Sequence, residues 1–323
     1  MDKEAVLAAV SRNGYALKDA PPEMKADKEV VLAAVLQRGD VLGYASPGLK
    51  ADKEVVLAAV SQDGYALKDA SPEMKADKEV VLAAVLQRGT ALLYASPGLK
   101  VDKQVVLAAV SQTGNALMNA SPEMKADKEV VLAAVSQRGD ALLSASRALQ
   151  ADKQVVLAAV STYGNVLGNA YPEMKADKEV VLAAVSNHGN ALSYASPALK
   201  ADLEVVLAAI SQNLGALKYA DPALRGNPEF LWRASNIGYV PTAPEDALIQ
   251  QYVAERKATV MPLFARKPPT EDPDAARKQA AFARLNAHGP HFGKILKTKI
   301  ANFAGVSGGT RRKKRTRRKR KFF

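Results

Sequence analysis

The sequence predicts an all-α protein: an α-solenoid of about nine 25-residue helical repeats, a helical C-terminal cap and a disordered basic tail. The stretch ADKEVVLAAV, first met at Ala26, returns with few changes every 25 residues from Met1 to Ala201. A fixed period of roughly 20–50 residues is typical of stacked repeats. The composition, 48% hydrophobic but only 6% aromatic, requires an aliphatic, alanine-rich core. Ten of the last 13 residues are basic, which indicates a tail that cannot fold.

Each repeat begins with a segment that predicts a capped helix. In the repeat 51–75, Asp52 stands directly before the apolar run and suits an N-cap, and Glu54 lies in the first turn, where the helix dipole favours an acid. A buried strand is the alternative interpretation of VVLAAV, but its two alanines, the cap and the following glycine favour a helix. Because this run is apolar on every side, we expect the helix to pack between the preceding and the following copy.

The second half of the repeat predicts a turn and two short helical segments. Gly64 follows the first helix and suits the left-handed conformation that ends many helices. The stretch YALKDA then predicts a short return helix, and the serine–proline pair at 71–72 predicts one further capped turn. Constant charges such as Lys28 and Glu29 are interpreted as solvent-facing side chains that serve solubility and the helix dipole.

The repeats alternate in pairs, so that the chain also has a period of 50 residues. The first, third, fifth and seventh copies end in PEMK, whereas the second, fourth and eighth end in PGLK or PALK. With this two-part module, DKEVVLAAV…G.AL..ASPEMK, the chain from residue 1 to about 225 resembles the domain-of-unknown-function family numbered 4116. The resemblance implies tandem helical repeats with an interaction role, in protists, algae, some bacteria and large DNA viruses, and supplies no catalytic residue. The basic tail is similar to tails of large algal-virus proteins.

Variation between the copies is concentrated at positions 13, 15, 18 and 19 of the repeat, on both sides of the glycine. Equivalent positions of a stacked array lie in rows, so these side chains should form stripes along one edge. One interpretation is a solvated surface under no constraint. The other is a recognition strip, since Tyr and Arg are favoured interface anchors. On the second interpretation the predicted protein-binding residues are Arg38, Tyr44, Arg88, Tyr94 and Arg138.

The repeat pattern decays at Gly226, and this divides the chain into three predicted domains. They are the repeat solenoid at 1–225, a C-terminal cap with a helical extension at 226–308, and the disordered polybasic tail at 309–323. The segment GNPEFLWRAS, which follows the first boundary, retains a cap and an apolar cluster. We interpret it as a degraded tenth repeat.

One more helix is predicted just after this segment, in TAPEDALIQQYVAERK. Its start is indicated by Thr242 and Glu245, which have the spacing of a capping box. The helix carries a single apolar stripe, formed by Leu248, Ile249, Tyr252 and Val253.

No enzyme is predicted, because the motifs that carry catalysis or cofactor binding are missing. The chain has no cysteine, and it contains no GxGxxG, GxxxxGK[ST], HExxH or GxSxG pattern. Its Ser, Asp and Lys residues recur from repeat to repeat, whereas a catalytic centre is normally a single constellation. We therefore expect no cofactor and no metal site. No apolar run approaches the roughly 18 residues that a membrane span needs, so we expect no transmembrane segment.

The net charge of +12 is concentrated near the C-terminus. Residues 1–225 carry 24 Lys and Arg against 26 Asp and Glu, whereas the stretch 311–321 is basic throughout except at Thr316. Its ten cations are Arg311, Arg312, Lys313, Lys314, Arg315, Arg317, Arg318, Lys319, Arg320 and Lys321. They suit three kinds of partner: importin, as a nuclear localisation signal; the phosphates of nucleic acid; and, less favoured, an anionic membrane surface.

Two classes of function are compatible with these features. In the first, a non-catalytic scaffold binds a protein partner through the solenoid, while the tail serves nuclear targeting or contacts nucleic acid. In the alternative, the protein is a structural nucleic-acid-associated component, such as a packaged virion protein, whose tail binds polyanions and whose solenoid is architecture. The expected location is the nucleus, or the cytoplasm with nuclear import, or the virion if the source is viral.

Overall fold

A computed structural model describes residues 2–264 of the chain. The chain divides into two compact units, Met1–Leu224 and Arg225–Phe323. Within the described residues, all regular structure is helical, and the first unit is an all-α solenoid of nine repeats. The predicted helical extension beyond residue 264 and the basic tail at 309–323 lie outside the described residues.

Each repeat of the first unit consists of a long α-helix, a six-residue 3₁₀-helix and a short helix. The long helices are Lys3–Arg12, Lys28–Gln37, Lys53–Gln62, Lys78–Gln87, Lys103–Gln112, Lys128–Gln137, Lys153–Thr162, Lys178–Asn187 and Leu203–Gln212. The 3₁₀-helices are Gly14–Asp19, Gly39–Tyr44, Gly64–Asp69, Gly89–Tyr94, Gly114–Asn119, Gly139–Ser144, Gly164–Asn169, Gly189–Tyr194 and Leu214–Tyr219. The short helices are Pro22–Lys25, Pro47–Lys50, Pro72–Ala76, Pro97–Lys100, Pro122–Lys125, Arg147–Gln150, Pro172–Ala176 and Pro197–Lys200, followed by the 3₁₀ turn Pro222–Gly226.

The long helix forms where the cap and the apolar run predicted it. In the fourth repeat, Asp77 at the N-cap accepts hydrogen bonds from the backbone N–H groups of Glu79 and Val80, at 3.0 and 3.1 Å. From the second copy to the ninth, positions 5, 6, 9 and 10 are buried; in the fourth copy these are Val80, Val81, Ala84 and Val85. Each long helix packs against the long helices of the neighbouring copies. The prediction of a helix between two copies is confirmed.

Glycine at position 14 has a different role from the predicted one. Gly64 begins a 3₁₀-helix, Asp63 before it is extended, and Gly238 is the one glycine in residues 2–264 with a positive φ. Glycine is required by a close approach between repeats, because a Cβ on Gly14 would lie 2.6 Å from the carbonyl oxygen of Ala34 in the next copy. The same overlap would arise at Gly39, Gly64, Gly89, Gly114, Gly139, Gly164 and Gly189. The left-handed prediction is wrong.

The return segment is a 3₁₀-helix, and its three-residue turn decides which side chains face solvent. In the third repeat Gly64 and Leu67, three apart, are buried, whereas Tyr65 and Lys68, also three apart, are exposed. The 3₁₀-helix therefore turns positions 15 and 18 of the repeat outwards along one line, while positions 14 and 17 enter the core.

Backbone hydrogen bonds also join one repeat to the next. The N–H of Ser71 donates to the carbonyl oxygen of Lys50 in the preceding copy, at 2.9 Å, and the same bond recurs along most of the solenoid. The hydroxyl of Ser71 then accepts from the N–H of Met74 at 3.4 Å and caps the short helix, as the serine–proline pair predicted. Each copy therefore buries core side chains of its neighbour and provides hydrogen-bond partners for its neighbour's backbone.

The second unit contains the helices Pro228–Ser235 and Ala243–Phe264, which pack against each other. The first has the cap and burial pattern of a repeat: Asn227 caps the N–H of Phe230 at 3.0 Å, and Phe230, Leu231 and Ala234 are buried at positions 5, 6 and 9. This agrees with a degraded tenth repeat.

The longer helix of the second unit starts as predicted, with one change in its apolar stripe. The Glu245 carboxylate accepts from the N–H of Thr242 at 2.7 Å, which is one half of a capping box. Ile249 is buried and Tyr252 packs on Trp232, with ring centres 6.0 Å apart. Leu248, predicted to belong to the stripe, is instead 37% exposed, and Glu245 takes the buried position one turn before Ile249.

Candidate protein-binding surface

The four variable positions of the repeat form one continuous surface, which we call the variable strip: positions 13, 15, 18 and 19 of each copy. Position 13 touches position 15 of the preceding copy, since the Arg38 guanidinium carbon lies 4.1 Å from the ring centre of Tyr15. Position 19 lies against position 18 of the preceding copy: a Cβ on Gly168 would be 2.9 Å from the ring of Tyr194. The predicted rows of side chains are thus in contact with one another, because a position in one repeat touches a different position in the preceding repeat.

A cluster of charge and aromatic rings joins the first and second repeats. Arg38 stacks on Tyr15 and donates two hydrogen bonds to Asp40, from Nε at 3.1 Å and from Nη2 at 2.9 Å. The hydroxyl of Tyr15 donates to the same carboxylate at 2.8 Å. Arg38 therefore lowers the pKa of Asp40, and the hydrogen bond to Asp40 raises the pKa of Tyr15. The guanidinium charge is neutralised within the cluster, and Tyr44 is half-buried beside it.

A related cluster joins the third and fourth repeats, but its arginine has a different partner set. Arg88 stacks on Tyr65 at 4.4 Å, and Tyr65 meets Tyr94 edge to face, with ring centres 5.8 Å apart. Thr90 occupies the place that Asp40 has in the first cluster, and its hydroxyl is hydrogen-bonded to that of Tyr65 at 2.7 Å. Within the described residues, the one carboxylate near Arg88 is Asp63, 3.7 Å from Nε.

The third predicted arginine, Arg138, has a carboxylate partner but no ring beneath it. It pairs with Asp140, and its Nε and Nη2 lie 2.7 and 2.9 Å from the two carboxylate oxygens. The preceding copy has Asn115 at position 15, and Ser144 stands at position 19, so the two tyrosines of the other clusters are replaced. The structure therefore brings Arg88 and Tyr94 into one cluster and leaves Arg138 in a polar one.

Tyr15 and Tyr65 belong to the strip as well, although the repeat pattern alone did not single them out. Each lies under the arginine that follows 23 residues later, and each is hydrogen-bonded through its hydroxyl to position 15 of the next copy. The signal was the variability of position 15; the choice of residues needed the contact between copies.

Three exposed apolar side chains stand at position 18 in consecutive copies, and we call them the apolar patch: Leu93, Met118 and Leu143. Their exposed fractions are 50, 60 and 52%. The 3₁₀-helices that carry them pack side by side. The other copies have Lys18, Gly43, Lys68, Gly168, Ser193 and Lys218 at this position. The variable strip is therefore apolar at position 18 only in the fourth, fifth and sixth repeats.

A ladder of ion pairs, away from the variable positions, links each cap to the preceding copy. Lys103 lies 2.8 Å from Asp127 at the next N-cap and 2.8 Å from Glu129. The hydrogen bond between them lowers the pKa of Asp127 and raises the pKa of Lys103. Equivalent pairs are Lys3–Asp27, Lys28–Asp52, Lys53–Asp77, Lys78–Asp102, Lys128–Asp152, Lys153–Asp177 and Lys178–Asp202. These charges face solvent as expected, with the Lys28 side chain 42% and the Glu29 side chain 69% exposed, but they also form ion pairs between copies, which the repeat pattern did not predict.

Two further findings concern chemistry and membranes. No group of three or more His, Asp or Glu side chains in the described part of the chain is arranged to hold a metal ion. None of the helices between residues 2 and 264 combines the length and the apolar character that crossing a bilayer demands. The polybasic residues from Arg311 to Lys321 lie outside the described part.

Comparison with known proteins places the solenoid in a family. The family model named Domain of unknown function (DUF4116) matches residues 2–50, 52–100, 102–150, 152–200 and 177–225. Each match spans two 25-residue repeats, and the last two overlap because nine repeats do not divide into pairs. No curated protein and no solved structure matches the chain. The matched segments make up most of the chain, and the protein belongs to the DUF4116 family.

Proposed function

We propose that the protein is a non-catalytic scaffold whose solenoid binds a protein partner along the variable strip. The observation that carries the proposal is the contrast between a nearly constant core and a strip that varies. Within that strip, half-exposed arginines are held on tyrosine rings by contacts between neighbouring repeats. Interface anchors are enriched in Arg and Tyr, and a pre-ordered side chain loses less entropy on binding than a free one.

The test is to remove the predicted anchors together and to measure partner capture. The variant carries Ala in place of Arg38, Tyr44, Arg88, Tyr94 and Arg138. Used as bait beside the wild-type chain, it should lose most proteins that the wild type enriches by quantitative mass spectrometry. A matched control replaces Glu23, Glu73, Glu123 and Glu173, the exposed glutamates of the short helices, by Ala. Equal capture by wild type and the five-site variant, with both folded by circular dichroism, would contradict the proposal.

We propose in addition that the polybasic tail directs the protein to the nucleus or to nucleic acid. Ten cations within 311–321 support this, because like charges at such density attract phosphates and basic-motif receptors regardless of the fold before them. The alternative function, a structural nucleic-acid-associated protein, draws on the same feature and gives the tail the main role.

Deletion of residues 309–323 tests the tail and separates the two functions. We expect the deletion to abolish nuclear accumulation of a fluorescent fusion and to weaken binding of a 20-base-pair DNA. The slope of log K against log salt should fall by about 0.9 for each phosphate that the tail no longer neutralises. An unchanged salt slope after deletion would place DNA binding on the solenoid. Undiminished partner capture together with abolished DNA binding would favour the scaffold over the structural role.

A further inference from the structure

We infer that Arg88 and the apolar patch form one binding site for a partner segment in which a single carboxylate is accompanied by large apolar side chains. The inference rests on the proposed scaffold function and deepens it, because it names the part of the variable strip that binds and the chemistry that it accepts.

Arg88 is the strip arginine with no hydrogen bond to a carboxylate among the described residues, although it forms a longer ion pair with Asp63. Arg38 and Arg138 each donate two hydrogen bonds to the aspartate two residues later, whereas Thr90 stands at that position after Arg88. Asp63, at 3.7 Å, is beyond hydrogen-bonding distance of Arg88. A guanidinium has five N–H donors and is well suited to grip a carboxylate with two parallel bonds.

The surroundings hold the Arg88 guanidinium in a defined place. The guanidinium carbon lies over the Tyr65 ring, 4.4 Å from its centre, and the ring is itself fixed by the Thr90 hydroxyl and by the edge-to-face contact with Tyr94. About half of the Arg88 side chain remains accessible, since it is 49% exposed. An arginine that is already oriented pays less entropy when it binds an anion.

The apolar patch begins five residues after this arginine, on the 3₁₀-helix Gly89–Tyr94 that follows it. Leu93 lies one 3₁₀ turn after Thr90, about 6 Å along the same line of the helix. Met118 and Leu143 follow on the next two 3₁₀-helices, which pack in sequence beside it. The patch ends at Lys68 on one side and at Gly168 on the other. A ligand that reaches from Arg88 along the strip would thus meet three apolar side chains in a row.

Charge complementarity selects a single carboxylate rather than a polyanion. Residues 1–225 carry more acidic than basic groups, and the other arginine beside the patch, Arg138, is already neutralised by Asp140. Arg88 and Lys68 stand among a slight excess of acids, which disfavours a phosphate chain. One glutamate or aspartate with apolar neighbours would instead find both an arginine and an apolar surface. The repeats are stacked about 8–10 Å apart, which corresponds to about three residues of an extended chain.

The binding test uses an array of synthetic 12-residue peptides. Each peptide contains one glutamate and three leucines, spaced two, three or four residues apart. Each has two control peptides: in one the glutamate is replaced by glutamine, and in the other the leucines are replaced by serine. We expect the full chain to bind at least one glutamate–leucine peptide ten-fold or more tightly than either of its control peptides, as measured by fluorescence anisotropy. If no glutamate–leucine peptide is bound, or if the glutamine control binds with the same affinity, the assignment is overturned. Preference for phosphoserine in place of glutamate overturns the choice of a carboxylate.

Variants copied from other repeats locate the site without disturbing the fold. Thr90→Asp reproduces the arrangement that neutralises Arg38, and Met118→Lys reproduces position 18 of the third repeat. Each should weaken the best peptide ten-fold or more, while Glu123→Ala, at an exposed short-helix position of the fifth repeat outside the variable strip, should leave the affinity within two-fold. If the five-site alanine variant loses its cellular partners but Thr90→Asp and Met118→Lys bind the peptide normally, this site is wrong and the scaffold function stands. If the alanine variant keeps its partners, the scaffold proposal itself fails.

Discussion

Glycine at position 14 of the repeat is a steric requirement rather than a conformational one. Its backbone lies against the carbonyl oxygen of the alanine at position 9 of the next copy, for example Gly89 against Ala109. A side chain there would have to push two core helices apart. The glycine of PGLK is different, because Gly98 has nothing within 4 Å of where its Cβ would be, and the eighth repeat has Ala198 in its place.

The two glycines should therefore respond oppositely to alanine. Gly89→Ala is expected to destabilise the solenoid by about 1–3 kcal/mol, the usual range for overpacking a core. Gly98→Ala should leave the stability unchanged or raise it by up to about 1 kcal/mol, since alanine restricts the unfolded chain and the site has room. Urea unfolding followed by circular dichroism measures both. Equal midpoints for the two variants would contradict the steric explanation.

Between elements, the ladder joins the cap of one long helix to the lysine of the helix before it. The same Asp side chain thus serves two purposes: Asp127 accepts from the N–H of Val130 and pairs with Lys103. Because both interactions favour the ionised carboxylate, the pKa of Asp127 lies below its ordinary value. The hydrogen bond from lysine lowers the pKa in the same way at Asp27, Asp52, Asp77, Asp102, Asp152 and Asp177.

This arrangement predicts that the stability of the protein is nearly constant at intermediate pH and falls both in acid and in base. A carboxyl whose pKa is lower in the folded state stabilises fully above its unfolded pKa of about 3.9 and loses that contribution as the pH falls through the folded value. Six ladder lysines have raised pKa values, so their contribution is complete below about 10.4 and is lost as the pH rises further. They are Lys3, Lys28, Lys53, Lys103, Lys153 and Lys178. The thermal midpoint of the full chain, measured from pH 2 to 11, should fall at both ends. Replacing three ladder aspartates by Asn, which still caps, should flatten the acid limb; an unchanged acid limb would contradict the argument.

At the scale of the whole molecule, each repeat of the first unit contacts mainly its two neighbours. Long helix packs on long helix and 3₁₀-helix on 3₁₀-helix, from one copy to the next. The stability of such an array is approximately a sum over repeats and the interfaces between them. Because the interface residues are nearly constant, one interface of the first unit can replace another.

Removal of one complete 50-residue module should therefore be tolerated. Deleting residues 101–150 would place Lys78 opposite Asp152 and Gly89 opposite Ala159, the pairing types already present elsewhere. The shortened chain should keep its ellipticity per residue and a cooperative thermal transition. The control deletes residues 101–112, a single long helix, which breaks the register and should lower both. Unfolding of the module deletion would contradict the picture of interchangeable neighbours.

Several features were predictable because their cause is local. The aspartate cap, the alanine-containing apolar run and the serine–proline turn each depend on residues within about five positions of one another, and all three formed as expected. The 25-residue period predicted stacking, and with it a long helix covered by the copies on both sides; that positions 5, 6, 9 and 10 form its core came from the structure. Of the candidate site, the sequence indicated the variable positions, because variation against a constant background marks surface. The binding residues predicted from them, Arg38, Tyr44, Arg88, Tyr94 and Arg138, stay a prediction.

By itself, then, the sequence determined the repeat, its caps, its aliphatic core and the family. Only the tertiary structure decided what the glycine at position 14 is for, that Lys103 belongs to Asp127, and that Arg38 and Arg88 lie over tyrosines of the preceding copy. The physical reason is that these contacts join residues 20 to 25 positions apart, in adjacent copies. Their distances depend on how closely two helices stack and on the turn of the 3₁₀-helix, neither of which is expressed in the pattern of a single repeat.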